Sequence, residues 1–269
     1  MNIIHLTDLH FDSQIRLPAL ITALNNSDLI KNIDPENTYL LITGDVATRG
    51  QNNSYQFALP FVEKVFIETK KIKRSNIILC PGNHDLASNG IQGFNEFSRN
   101  IRDDSTFIFG ADNVILKKVD DVYFCSLNSI YQSERGHSSL NINELIRKLE
   151  NEKSTIEECK HRIAILHHHL IGVDEGDSTA VQNALPFLEV IENYGFKLVL
   201  HGHQHVQINL NINNIQIMSG YSLLSQSAFL GNGFNKISYD EAQDIFTKET
   251  YEFTHNSFPV GQLNLRKVV

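Results

Sequence analysis

The stretch Asn2-Ile-Ile-His-Leu-Thr7-Asp8-Leu-His10 decides the fold class of this chain. It starts as a short apolar run and ends in a polar cluster with a carboxylate and an imidazole. A run of this length, rich in Ile and Leu, predicts a strand that is covered on both faces. Such strands usually alternate with helices, so the stretch indicates an α/β protein with reactive groups at the carboxyl end of a strand.

The same pattern recurs along the chain. Apolar runs at residues 39–43, 76–80, 161–166 and 196–200 each lead into a polar cluster. Because ligands of open α/β sheets sit at the carboxyl ends of the strands, we expect all five clusters to converge on one edge. After the first cluster, the others are Gly44-Asp45, Gly82-Asn83-His84-Asp85, His167-His168-His169 and Gly202-His203-Gln-His205.

The segments between these runs predict helices. One begins near Leu17 and extends toward Leu29, a second is capped by Ser54, with Pro60 leaving its local geometry open, and a third is capped by Asn143. Residues 207–218 alternate with period two around Asn213-Asn214, which predicts a hairpin. Residues 118–127 and 248–254 are further strand candidates.

These elements predict one domain over residues 1–269, with ligand motifs at 8–205 and a β-rich part of a second, mostly antiparallel sheet at 206–269. The fold class is α/β. We expect a four-layer αββα sandwich in which two mixed sheets are flanked by helices and the site lies at strand carboxyl ends.

Composition narrows the function classes. Hydrophobic residues make up 41% and charged residues 20% of the 269 positions, as in ordinary globular proteins. Lys and Arg number 23 against 31 Asp and Glu, so the net charge is 23 − 31 = −8. This balance disfavours a broad basic surface for nucleic acid. Three scattered cysteines, no signal-like start and no long apolar run predict a cytoplasmic protein that does not engage a membrane.

Seven side chains in the clusters are oxygen or imidazole ligands, and none is a thiolate. They are too many for one tetrahedral ion, whereas two metals sharing a bridging carboxylate would use all of them. A metal pair binds the attacking and leaving oxygens of a phosphoryl displacement, so the set predicts phosphoester hydrolysis. Such ligands accept Mn, Fe, Zn or Co. The seven are Asp8, His10, Asp45, Asn83, His167, His203 and His205.

The ordered set D-x-H, G-D, G-N-H-D, H and G-H-x-H resembles the calcineurin-like metallophosphoesterase superfamily, and it spans residues 8–205. The resemblance implies two divalent ions with a bridging hydroxide as nucleophile. It also implies that His84 is a catalytic residue that faces substrate, stabilises phosphoryl oxygens and protonates the leaving oxygen. The implied ligands are Asp8, His10, Asp45 and His205 for one ion, and Asp45, Asn83, His167 and His203 for the other.

Several neighbouring residues have more than one interpretation. Arg49 resembles the phosphate-contacting arginine of the protein phosphatase branch, although Thr48 replaces that branch's second aspartate; otherwise Arg49 is a solvated residue at a helix entry. Asp85 is a candidate for orienting His84. Residues 174–177 predict a loop at the mouth of the site.

The remaining histidines are ranked by their neighbours. Adjacent side chains at a strand end point in different directions, so His167, His168 and His169 cannot all be metal ligands. His168 is the next metal candidate after His167 and a candidate substrate contact. His169 is interpreted as a loop residue. His5 and His201 are interpreted as hydrogen-bonded core residues.

Three functions compete. The first, favoured by chain length and charge, is hydrolysis of a small phosphodiester such as a cyclic nucleotide or a glycerophosphodiester, which resembles the compact bacterial phosphodiesterases. The second is a DNA nuclease similar to the break-repair exonucleases, although little chain follows His205 to form a capping domain. The third is a catalytically inert binding scaffold, against which the complete ligand set argues.

Overall fold

All five apolar runs form strands. In the computed structural model, the described residues are 1–11, 17–27, 33–51, 53–130, 137–172, 177–224, 231–255 and 263–268. Continuous burial along these strands explains their unbroken hydrophobicity. The strands are β1 (Asn2–Leu6), β2 (Thr38–Thr43), β3 (Ile77–Cys80), β6 (His161–Ile165) and β7 (Leu198–His201).

The other strands of the described residues lie in hairpins and near the end of the chain. The predicted strand at residues 118–127 is a hairpin of β4 (Val114–Val119) and β5 (Val122–Leu127), and the predicted hairpin at 207–218 is β8 (Asn209–Ile212) with β9 (Ile215–Ser219). Asn213 turns the second hairpin with a φ of +52°, a conformation that Asn tolerates well. The chain ends in β10 (Gly233–Asp240), β11 (Ile245–His255) and β12 (Leu263–Val268).

The helices lie where the sequence predicts them, with local differences. Pro60 lies inside the second helix, and the following turn widens into a π-helix over Glu63–Thr69. Asn141, rather than Asn143, caps the helix after β5, because its side chain accepts a hydrogen bond from Glu144 N at 3.2 Å. Leu29 falls outside the described residues. The helices are α1 (Leu17–Asn26), α2 (Asn53–Val62), α3 (Gln92–Arg102), α4 (Ile142–Asn151), α5 (Lys153–Glu158) and α6 (Ala184–Asn193).

The strands divide into two six-stranded mixed sheets. Sheet one has the order β12-β11-β10-β1-β2-β3, and sheet two has the order β4-β5-β6-β7-β9-β8. The prediction that residues 206–269 all belong to the second sheet is wrong, because β10 pairs antiparallel with β1 and extends sheet one. The second sheet is also not mostly antiparallel, since β5, β6, β7 and β9 run parallel.

A large apolar core fills the space between the sheets and continues under the first three helices. A smaller core lies under α4, α5 and α6 on the outer face of sheet two. The layers therefore run helices, sheet one, sheet two, helices, which confirms the predicted sandwich. Among the residues that the structure describes, every helix is too short or too polar to span a bilayer.

Candidate metal centre

The site lies where the carboxyl ends of strands from both sheets meet. Strands β1, β2 and β3 of sheet one lead to Asp8 with His10, to Asp45 and to Asn83. Strands β6 and β7 of sheet two lead to His167 and to His203 with His205. Loop-to-loop bonds hold the ends together: Asp8 N donates to Gly44 O at 3.1 Å, and Gly202 N donates to His167 O at 2.9 Å. All five predicted clusters converge, on the shared edge of two sheets rather than of one.

Five of the seven predicted ligands have a positive φ, a conformation that is strained for residues with a Cβ. Strain of this kind costs roughly 1–3 kcal/mol per residue and concentrates at functional sites. The spacing of the motifs does not predict this backbone conformation. The values are +49° for Asp8, +45° for His10, +52° for Asp45, +73° for His203 and +54° for His205.

Two glycines are required by crowding at the same edge. A Cβ on Gly82 would overlap Asp45 Oδ1, and a Cβ on Gly202 would overlap Thr7 Oγ1. The glycines that precede Asn83 and His203 therefore allow neighbouring backbones and carboxylates to approach closely.

Each carboxylate has one oxygen anchored and the other directed at the cluster. Asp8 Oδ2 accepts from Thr7 Oγ1 at 2.6 Å and from His203 N at 3.0 Å. Asp45 Oδ1 accepts from His84 N at 2.7 Å. Asp8 Oδ1 and Asp45 Oδ2 then face the imidazoles, so the protein fixes both carboxylates before any cation binds.

The ligand atoms form two groups that share Asp45. In the first, His205 Nε2 lies 3.1 Å from Asp8 Oδ1 and 3.2 Å from His10 Nε2, and His10 Nε2 lies 3.9 Å from Asp45 Oδ2. These are the four residues that the family resemblance assigns to one ion.

The second group lies on the other side of Asp45. Its Oδ2 is 3.3 Å from His167 Nε2, which is 3.0 Å from Asn83 Oδ1. His203 Nδ1 lies 3.1 Å from the same amide oxygen. The seven predicted ligands therefore come together, with Asp45 between the two groups, and the assignment of each residue to one ion stays a prediction.

The donor set fits divalent cations. His167 Nδ1 donates to Thr43 O at 2.8 Å, so its Nε2 is the nitrogen that faces Asn83 and Asp45. Acceptor atoms at such distances repel unless a proton or a metal ion lies between them. Burial acts to lower the pKa of His167, but the Asp45 and Asp8 carboxylates outweigh it and raise that pKa to about 9. The cluster therefore attracts positive charge.

Other shifts agree with a cation site. Burial and the neighbouring His167 lower the pKa of His203 to about 3, so its imidazole is neutral at physiological pH and has a lone pair to offer. Burial acts to raise the pKa of Asp8, but the hydrogen bond from His205 and the charges of nearby histidines hold it well below its usual range. Asp8 is therefore a carboxylate at neutral pH.

His84 lies beside the first group, and one of its ring nitrogens comes within 4.8 Å of ligand atoms of His10 and Asp45. Its ring packs edge-on against His10 at 5.0 Å between centroids, and its Nδ1 accepts a hydrogen bond from Arg49 N at 3.2 Å. Burial lowers the pKa of His84. The imidazole is therefore neutral at pH 7 with its proton on Nε2, a tautomer suited to donating a hydrogen bond.

Arg49 places its backbone in the site and its side chain in solvent. Its φ is +51°, and its N–H orients His84. The guanidinium belongs to an exposed residue. Sequence reasoning considered the side chain of Arg49 alone and missed the role of its backbone.

Asp85 does not orient His84. Its Oδ1 accepts from Ala47 N and from Tyr55 OH, both at 2.9 Å, and its Oδ2 accepts from Gly82 N at 2.9 Å. The expected contact with the imidazole ring is wrong. Asp85 instead ties the loop after β2 to the loop after β3, and it thereby supports Asp45 and Asn83 together.

His168 is fully buried, and its burial does not fit the expected contact with substrate. Its Nδ1 shares a hydrogen bond with Ser129 Oγ at 2.7 Å, and its ring lies 4.6 Å from that of His203. Its Nε2 has no hydrogen-bond partner among the described residues and groups with His167 and His203. Ser129 carried no signal in the sequence.

His169 is buried rather than a surface loop residue. Its Nε2 donates to Asp177 Oδ2 at 2.6 Å, and its ring stacks on His203 at 5.5 Å. Of the predicted loop at the site mouth, Asp177 is described and residues 174–176 lie outside the described part. His5 Nε2 lies 2.9 Å from Thr43 Oγ1, and His201 Nδ1 donates to Gly202 O, so both are hydrogen-bonded core residues.

Comparison with known proteins agrees with this geometry. The sequence profile of the family described as calcineurin-like phosphoesterase matches residues 1–207. A probable cyclic nucleotide phosphodiesterase of Xenorhabdus bovienii is 26% identical over 267 residues, covering 89% of this chain and 96% of that protein.

A second relative is the 3′,5′-cyclic adenosine monophosphate phosphodiesterase CpdA of Haemophilus influenzae, 22% identical over 227 residues, with coverage of 81% and 75%. Among solved structures, a dimetal phosphatase from Danio rerio superposes with a TM-score of 0.61 at 11% identity, covering 99% of this chain and 98% of that one. The structural likeness concerns the fold.

Proposed function

Because this chain belongs to the calcineurin-like phosphoesterase family and is thus a metal-dependent hydrolase of phosphoester bonds, we propose that its substrate is a small phosphodiester of the cyclic nucleotide type. The observation that carries the proposal is the pair of ligand groups joined at Asp45. The names of both relatives support the choice of a cyclic nucleotide.

We propose that Asp8, His10, Asp45 and His205 hold one divalent ion and that Asp45, Asn83, His167 and His203 hold the other. Four imidazoles among seven ligands favour Mn, Fe, Zn or Co over Mg or Ca, which prefer oxygen ligands. When bound, a metal pair supplies an activated nucleophile and neutralises charge on the phosphoryl group.

The protein residues supply orientation and hydrogen bonds. The Thr7 hydroxyl and the His84 N–H fix the outer oxygens of Asp8 and Asp45, so neither carboxylate rotates as substrate binds. His84 donates its Nε2 proton in a hydrogen bond to a phosphoryl oxygen, and Arg49 N holds the ring in that tautomer. The resemblance implies that His84 also protonates the leaving oxygen.

Two further aspects belong to the same proposal. Ligands come from both sheets, which supports residues 1–269 acting as a single metallophosphoesterase domain. The buried Cys80, Cys125 and Cys159 are all free thiols, which supports a cytoplasmic location.

DNA cleavage is the weaker alternative. The net charge of −8 would oppose a polyanion, and neither sequence relative described above is named as a nuclease. The inert scaffold is disfavoured because all seven ligands and His84 are in place.

The test is a turnover panel with purified protein and Mn²⁺. Its substrates are 3′,5′-cyclic nucleotides, a glycerophosphodiester, bis(4-nitrophenyl) phosphate, 4-nitrophenyl phosphate, and single- and double-stranded DNA. We expect cyclic nucleotides to have the highest kcat/KM and the Asp45→Asn variant to be inactive on all substrates. Faster turnover of the monoester than of every diester, or of DNA than of cyclic nucleotides, would overturn the proposal.

A further inference from the structure

A pocket lined by carboxamides opens beside the metal centre. Its volume is about 300 Å³, and five of its lining residues are Asn or Gln. Each carboxamide offers one hydrogen-bond acceptor and two donor hydrogens. The five are Asn89, Gln92, Asn95, Asn113 and Asn128.

The walls of this pocket continue from segments that support the ligands. Leu86 lies one residue beyond the Asn83-His84-Asp85 turn, and its N–H donates to Asn83 O at 3.4 Å. On another wall, Asn128 immediately precedes Ser129, whose Oγ holds His168 Nδ1 at 2.7 Å. Two walls of the pocket are therefore continuous with the segments that support Asn83 and His168.

Several of the amides are held in place by the protein. Both side-chain atoms of Asn95 bind the backbone of Phe109, at 2.7 and 2.9 Å. Asn128 Oδ1 accepts from Ile130 N at 3.0 Å, and its Nδ2 donates to Asn113 Oδ1 at 3.1 Å. The pocket is thus shaped before a ligand enters, which lowers the entropic cost of binding.

Two side-chain amide atoms of the lining have no hydrogen-bond partner among the described residues. These atoms are Asn113 Nδ2 and Asn89 Oδ1, whereas the other polar atom of each of the two amides is hydrogen-bonded. The pocket therefore presents an amide donor at Asn113 and an amide acceptor at Asn89 that are free to bind a ligand.

The rest of the lining is apolar. Phe109 and Ile130 are buried, Ile91 is half-buried, and no lining residue carries a formal charge. Such a surface has nothing to attract an anion or a cation. It suits a neutral planar group whose faces are apolar and whose edge forms hydrogen bonds.

We propose that this pocket binds the nucleobase of the substrate, which makes it the subsite that distinguishes a cyclic nucleotide from other small diesters. The inference rests on the proposed function, because it places the phosphate at the metal centre. The edge of adenine presents an acceptor nitrogen beside an amino donor, which is the pattern that Asn and Gln side chains match. Asn113 and Asn89 are the residues that select for the base.

The test measures binding rather than turnover. Calorimetry on the Mn²⁺-loaded protein compares adenosine 5′-monophosphate with ribose 5-phosphate, which has the same phosphate and sugar but no base. We expect the nucleotide to bind at least about tenfold more tightly. Equal affinities of the wild type for the two probes would overturn the proposal.

Variants assign the selectivity to residues. Asn113→Asp keeps the Oδ1 acceptor for Asn128 and removes the donor; Asn89→Ala removes the open acceptor from an exposed position that the fold tolerates. Each should weaken nucleotide binding about tenfold and leave ribose 5-phosphate unchanged. Asn211→Ala, an exposed amide on β8, is the matched control and should change neither.

The outcomes separate this inference from the proposed function. Equal weakening of both probes in Asn113→Asp and in Asn89→Ala would overturn the base subsite. Selective nucleotide binding without hydrolysis of any phosphodiester would support the subsite and refute the proposed function. Hydrolysis of diesters without selective nucleotide binding would refute the subsite and support the proposed function.

Discussion

Two groups of polar atoms join the sheets, and they obtain positive charge from different sources. The ligand cluster is the set of seven predicted metal ligands, where carboxylate, amide and imidazole atoms approach within 3.0 to 3.9 Å. The lysine cluster is formed by Lys248 on β11, whose Nζ donates to Gln207 Oε1 at 2.8 Å, Ile208 O at 2.7 Å and Ser219 O at 3.3 Å. The acceptors of the lysine cluster belong to or flank the β8–β9 hairpin of sheet two, so Lys248 bridges the sheets.

At the lysine cluster the sequence supplies its own cation. Around the ligand cluster, by contrast, no Lys or Arg side chain among the described residues donates to any of the seven ligands. Two buried carboxylates without a Lys or Arg partner are destabilising unless something else compensates them. The fold therefore stabilises one polar group with its own lysine, whereas the other consists of carboxylates and imidazoles that could hold metal ions.

The largest expected effect is at Asp45. We predict that Asp45→Asn lowers kcat/KM on a phosphodiester by more than about 10³-fold, because both ion sites lose their shared charge. This loss is larger than the loss expected from removing one hydrogen-bond donor to the transition state. Metal-loaded Asp45→Asn should also melt at a lower temperature than wild type. After chelation, the same variant should be destabilised less, because it then loses only the interaction with His167, which outweighs burial and holds the pKa of Asp45 below its usual value.

Thermal unfolding with and without a chelator measures this difference. Asp121→Asn, at an exposed position, is the control and should behave as wild type in both states. If Asp45→Asn is destabilised equally with and without metal, Asp45 stabilises the fold independently of metal, as Lys248 does, and the distinction between the two clusters is wrong.

His84 should affect the reaction and spare the metals. We predict that His84→Ala lowers kcat by roughly 10²–10³-fold while two ions remain bound, and that His84→Gln recovers part of the loss because its amide still donates. As a donor to a phosphoryl oxygen, His84 should matter equally for aryl and alkyl diesters. A much larger loss for alkyl diesters would identify it as the acid for the leaving oxygen, and release of metal would refute both roles.

Removal of the lysine should affect stability regardless of metal. We predict that Lys248→Met lowers the free energy of unfolding by about 1–3 kcal/mol, since three acceptors lose their donor. Burial lowers the pKa of Lys248 from 10.5 to about 8. Between these values the unfolded chain holds more protons, so this contribution to stability is full above pH 10.5 and is lost as pH falls through about 8.

Chemical denaturation of wild type and Lys248→Met across this pH range tests the sign. The difference in the free energy of unfolding between the two proteins should grow as pH rises and should be the same with Mn²⁺ or with chelator. A difference that depends on metal would contradict the separation of the two clusters.

The smallest effect is expected at Arg49. We predict that Arg49→Gln raises KM about fivefold, the equivalent of roughly 1 kcal/mol, with kcat nearly unchanged, because an exposed guanidinium contributes to phosphate binding while the backbone N–H still holds His84. Arg99→Gln, exposed on α3, is the control. Identical kinetics for Arg49→Gln and wild type would mean that the Arg49 side chain is only solvated.

Much of this site could be predicted from the sequence, since the information is local. Apolar runs ending in Asp8, Asp45 and His203 fix both the strands and the positions of the ligands at their carboxyl ends. Strand pairing was not predictable in the same way. Whether β10 pairs with β1 or with the edge strand β8 depends on contacts between residues that include pairs more than 200 positions apart.

The residues that hold the ligands in place were also not predictable from the sequence. Asp85 follows His84 in the chain, yet its carboxylate binds the backbone of the loop after β2. His168 and His169 look alike in sequence, and only Ser129 and Asp177, which carry no motif, distinguish them. Such second partners are set by tertiary packing, which a single sequence does not show.

The number of ions bound per chain tests the central claim most directly. We predict that native mass spectrometry of the protein reconstituted with Mn²⁺ shows two ions per chain, and that Asp45→Ala, which removes the shared carboxylate, no longer retains two. A reproducible stoichiometry of one in the wild type, with that ion still bound in Asp45→Ala, would contradict the account.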